Sequence, residues 1–67
     1  MIYVAYKTTI NALGVKKTGW VILERGQICG FYGEDKDKAT RNAHAIASFR
    51  VVGGVVPQVR VIDEVLA

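Results

Sequence analysis

The sequence predicts an α+β fold: one small domain over residues 1–67 in the order βββαβ, an antiparallel-dominated sheet with one helix packed on one face. Three observations carry that reading. Side chains alternate from Ile2 to Ile10, two short apolar runs flank Glu24-Arg25-Gly26-Gln27, and a helical period follows between an acidic run and a glycine pair.

The first strand is the plainest element. Ile2, Val4, Tyr6, Thr8 and Ile10 alternate with Tyr3, Ala5, Lys7 and Thr9, a period of two in residues that suit a pleated surface. Asn11 to Gly19, with two glycines and the pair Lys16-Lys17, predicts an exposed, bent connection. Trp20-Val21-Ile22-Leu23 and Ile28-Cys29-Gly30-Phe31-Tyr32 then read as a hairpin. Arg25 fits poorly at a turn centre that demands positive φ, so the expected turn is a longer one with Gly26 in the left-handed position, and the register stays open by one residue.

From Lys38 to Val52 the period is helical. Ala39, Ala43, Ile46 and Phe49 fall on one face and Thr40, Arg41, His44 and Ser48 on the other. Glu34-Asp35-Lys36-Asp37 offers carboxylates to the exposed N–H groups and positive dipole end of a helix, and Gly53-Gly54 offers a stop. The small side chains on the apolar face predict a close approach to the sheet. Pro57 suits the start or edge of a final strand in which Val59 and Val61 alternate with Arg60 and Ile62.

Composition narrows the function classes. Ordering 67 residues costs on the order of 100 kcal/mol, which a single small core barely offsets. With 51% hydrophobic residues in so small a domain, part of the apolar surface is expected to meet a second subunit. There is no uncharged apolar stretch of about 18 residues and no basic-then-apolar leader, so the expectation is a soluble, cytoplasmic protein with no membrane contact. Cys29 is the single cysteine; it forms no internal disulfide and, by itself, no zinc site. Nine basic residues against six acidic ones, scattered along the chain, favour acidic partners only mildly.

The stretch Gly19-Trp20-Val21-Ile22-Leu23-Glu24-Arg25-Gly26-Gln27-Ile28 through Phe31-Tyr32-Gly33, then Ala39-Thr40-Arg41-Asn42-Ala43-His44-Ala45-Ile46, then Val59-Arg60-Val61-Ile62-Asp63, resembles the first half of a ribonuclease H-like domain. The resemblance implies three antiparallel strands, a helix, and a strand ending in an acid. That family hydrolyses through clustered carboxylates holding two divalent metals. Here the first-strand acid falls at Ala5 and the helix acid at Ala45, and Asp63 alone matches a metal carboxylate. The resemblance therefore implies a truncated relative without catalytic residues, metal or cofactor.

Other constellations fail on composition. Gly14-Val15-Lys16-Lys17-Thr18-Gly19 has the glycine spacing of a phosphate loop, but Trp20-Val21 stands where Lys and Ser or Thr are needed, and a flexible loop is expected. Cys29 within an apolar strand reads as a buried thiol, and His44 on the polar helix face as a solvated imidazole. The acids Glu34, Asp35 and Asp37 read as helix capping rather than a cation site.

Two functional expectations follow. The first is a non-enzymatic binding module that self-associates and engages a protein partner through its sheet or an edge, with strand one and the final strand as pairing candidates. In size and style it is similar to the accessory and inhibitor proteins of phages and other mobile elements. The alternative is a nucleic-acid binder using Lys16, Lys17, Trp20, Arg41 and Arg60 with sheet aromatics as a stacking platform. That platform requires Trp20, Tyr3 and the basic side chains to share one sheet face.

Overall fold

In the computed structural model, which describes residues 1–66 and side chains as far as Ile62, β1 runs Ile2–Ile10, β2 Lys16–Glu24, β3 Gln27–Phe31, α1 Lys36–Phe49 and β4 Val59–Leu66. The order is βββαβ, as the periodicities predict. The strands form one sheet in the order β3-β2-β1-β4, with β1 antiparallel to β2, β2 antiparallel to β3, and β4 parallel to β1. The parallel pair follows from the helical crossover, since a parallel neighbour needs a long connection. β1 is thus paired on both sides from Ile2 to Lys7, which removes that stretch as an edge for another chain and leaves β3 and β4 at the margins.

Two hairpin boundaries differ from expectation. The first turn is only residues 11–15, because Lys16, Lys17 and Thr18 continue the ladder opposite Ile10, Thr9 and Thr8 rather than forming a flexible loop. The second turn is the tight two-residue form: Arg25 at φ 55° and Gly26 at φ 77° both adopt positive values, so Arg25 accepts the strain the sequence argued against. The register shift appears further along instead. Leu23 faces Ile28 and Ile22 faces Gly30, which leaves Cys29 as the extra residue of a bulge. Cys29 is exposed there, not buried.

The helix is shifted toward the N-terminus of its predicted range of Lys38–Val52. Asp35 is the N-cap, its carboxylate accepting the Lys38 N–H at 2.9 Å. At the other end Arg50 N–H donates to Ala47 O at 3.0 Å, and the chain leaves the helix before the β-branched pair Val51-Val52. Gly53-Gly54 therefore does not stop the helix; it forms a separate reversal closed by mutual Val52 and Val55 backbone bonds of 3.2 and 3.0 Å.

The helix buries Ala39, Ala43 and Ala47 against Ile2, Val4 and Ile22. Four-residue spacing keeps those three methyl groups in one row, and Ile46 packs half-buried beside it. Phe49, predicted to share the buried face, lies two positions past Ala47, about 200° round the helix, and is 85% exposed. Among the described residues the far face of the sheet carries no helix. There Phe31, Val21, Ala5 and Ile62 form a row across all four strands, and the two central members are fully buried by their neighbours. Ala5 and Ala45 occupy the positions where the resemblance expects acids: the first is buried in β1, the second exposed on α1. The side chains of Asp63 and Glu64 lie outside the described ones.

Candidate functional site

The strand parities separate the proposed stacking platform. Tyr3 is on the bare face, opposite Leu23 and Arg60, whereas Trp20 is opposite Tyr6 on the helix-covered face. Tyr6 and Trp20 meet edge to face with centroids 5.4 Å apart and planes at 72°. The Lys36 ammonium stands 5.3 Å from the Trp20 ring centre, and Tyr6 Oη donates to Glu34 Oε1 at 2.7 Å. That acceptor raises the Tyr6 pKa, because it favours the protonated phenol. Trp20 thus ties the chain entering α1 to the sheet and is engaged by its own domain.

The remaining candidates disperse. Arg41 is exposed on α1, where it lines a shallow depression with Asp37 and Thr40. Lys16 begins β2 on the same side as Trp20, while Lys17 and Arg60 are on the bare face. Lys17 is opposite Thr9 and Arg60 opposite Tyr3, a separation of roughly 20 Å along β1. Lys17 Nζ approaches the Phe31 ring at 5.9 Å. His44 is exposed on α1 and Cys29 is in β3, so no pair of nucleophile and base forms between them.

Two features that the sequence reading did not single out stand at opposite ends of β1. At its start, a cleft of about 280 Å³ is lined by Met1, Ile2, Glu24, Arg25, Phe49, Arg50, Val51, Val52 and Pro57. Arg50 closes one side through Nε and Nη2 bonds of 3.0 and 3.4 Å to the Glu24 carboxylate, which draw the Glu24 pKa below its ordinary value of 4.5. Around this cleft Phe49, Val52, Val55, Val56 and Met1 are all exposed. The signal for it was present: a glycine pair flanked by Val51-Val52 and Val55-Val56 is a hairpin-like reversal that presents valines, a reading displaced by the helix stop.

At the far end of β1, Asn11 organises a turn with both its backbone and its side chain. Asn11 N–H donates to Val15 O at 3.1 Å, Gly14 N–H to Asn11 O at 3.0 Å, and Asn11 Oδ1 accepts from Leu13 and Val15 N–H at 2.9 and 3.0 Å. The turn satisfies its own polar groups and leaves Leu13 88% exposed. Asn followed three residues later by a glycine at φ 79° was the available signal.

Among the described residues, no group of three or more His, Cys, Asp or Glu side chains gathers to hold a metal ion. No helix among them is long and apolar enough to cross a membrane. The chain matches no protein-family model, no curated protein and no solved structure.

Proposed function

We propose that this chain is a non-enzymatic binding module whose apolar end, at the start of β1, seats a second copy of the same chain. The observation that carries the reading is Phe49, a large aromatic that is 85% exposed beside an apolar cleft and a valine-rich reversal. Exposed apolar area of that kind mostly marks interaction sites.

The choice of occupant rests on the mixed charge and apolar character of this end. The accessible surface is 4721 Å², where a compact monomer of 7.3 kDa exposes about 4,200 Å². The excess of roughly 500 Å² is shared between the projecting β1–β2 ribbon and this apolar end. Glu24 and Arg25 both line the cleft, so this end carries an acid and a base of its own, the mixed charge that a self-complementary two-fold contact needs. The reading takes the ribonuclease H-like resemblance as one of topology alone, since Ala5 and Ala45 put methyl groups where that family's acids stand.

Sedimentation equilibrium over a concentration series tests this. The wild-type chain is expected at dimer mass, with Phe49→Glu monomeric and similarly folded by circular dichroism. A wild-type chain that stays monomeric up to several hundred micromolar overturns the proposal.

A further inference from the structure

Among the described residues, β1 and β2 continue beyond Lys7 and Gly19 as a two-stranded ribbon: the described part of β4 pairs with β1 as far as Lys7, and β3 with the adjoining segment pairs with β2 only from Trp20 onward. We propose that this projecting arm, Thr8–Thr18, is a nucleic-acid-reading element that enters the major groove of duplex DNA.

Four observations converge on that ligand. The first is shape, because the major groove of B-form DNA admits a two-stranded β-ribbon. Three ladder residues on each strand raise the turn about 10 Å above the body of the sheet, enough to reach the floor of a groove about 8.5 Å deep. The second is charge. The first acid in the chain is Glu24, so the arm carries no acid and two cations, Lys16 and Lys17 on β2, with Lys7 at its root on β1. Lys16 and Lys17 are successive strand residues and so project to opposite faces of the ribbon, which offers one cation to the phosphates on each wall of a groove.

The third is the tip. The Asn11 hydrogen bonds hold Leu13 outward with exposed Ile10 and Val15 behind it. An ordered apolar tip meets thymine methyl groups or wedges at a base step without first paying to be ordered. The fourth is the stem. Thr8 and Thr18 share a hydroxyl bond of 2.9 Å across the ribbon, and Thr9 Oγ1 donates to Lys17 O at 3.4 Å, which brace the ribbon and place further polar groups where phosphate oxygens pass. The arm lies at the opposite end of β1 from the apolar cleft, so this inference does not rest on self-association.

Fluorescence anisotropy with labelled duplex DNA, duplex RNA and single-stranded DNA over a salt series decides it, with thermal melts confirming that each variant folds. Duplex DNA is expected to bind tightest. The pair Lys16→Ala/Lys17→Ala should weaken it about tenfold at low salt and reduce the slope of log affinity against log salt by about two. Leu13→Ser should weaken binding about fivefold with the slope unchanged. Absence of salt-sensitive DNA binding, equal affinity in the lysine variant, preference for RNA or single strands, or binding of phosphatidylserine vesicles in place of DNA each overturns the proposal. Repeating the titration with Phe49→Glu separates the two readings, because loss of the dimer leaves the intrinsic affinity of each arm intact.

Discussion

The two halves of the β1–β2 ribbon obey different rules although they are the same two strands. In the inner half, Ile2, Val4 and Ile22 lie under the alanine row of α1, and Ala5 and Val21 are sealed on the opposite face by their neighbours. In the outer half no residue from Ile10 to Thr18 is buried, and the structure depends on ladder bonds, a threonine pair and one asparagine. A two-stranded hairpin alone is marginal in water. The inner half fixes register by burial, and the outer half inherits that register, so a few local hydrogen bonds suffice to complete it.

The largest effect that breaks this contrast is expected at the helix contact. Ala43→Asp places a carboxylate on a fully buried methyl position between helix and sheet, costing about 3 kcal/mol or more and unfolding the chain in a urea titration. Retained cooperative unfolding near the wild-type midpoint would show that α1 is not what anchors the inner half.

Gly19→Ala comes next, at the junction of the halves. A Cβ there falls 2.8 Å from both Gly33 Cα and Gly33 O and from the Phe31 ring, and the backbone atoms cannot swing aside as a side chain does. The expected cost is about 1–3 kcal/mol, read as a lower melting temperature. An unchanged melt would mean that the Gly33 segment can retreat freely from β2.

Asn11→Ala removes the acceptor of the Leu13 and Val15 amides. Its cost, about 1 kcal/mol, should be confined to the arm, with faster amide exchange at Leu13 and Val15 and nearly constant global stability. A matching fall in global stability would join the two halves into one cooperative unit.

The smallest effect belongs to Glu24 and Arg50 at the base. Glu24 is held below its ordinary pKa by the Arg50 hydrogen bonds, so its contribution is present above pH 4.5 and is lost as the pH falls through the lower, folded-state value. Glu24→Gln should flatten that acidic limb of a stability-against-pH curve. An identical limb in the variant would assign it to other carboxylates.

What could be read in advance follows the same division. Period-two alternation gave β1 its full length, and helical period with an acidic N-cap gave α1 its place, because burial writes a repeating pattern into residues. The open parts were those set by local chemistry with no repeat. Arg25 at positive φ, the bulge at Cys29 and the early exit of α1 at Phe49 are each single local departures that leave no periodic trace in the residues. The basic residues were identifiable, but their distribution over two faces was not, since parity depends on where β2 begins. Lys16 and Lys17 read as loop because a glycine on either side suggested bending, while Thr8 and Thr18 were already complementary across a ladder.

Trp20 is the single tryptophan of the chain, wedged between Tyr6 and Lys36 beneath the N-terminal turn of α1. That placement gives the molecule an intrinsic optical reporter. Its emission is expected to register whether the helix is seated, since Tyr6 and the Lys36 ammonium at the start of α1 are the groups against its ring.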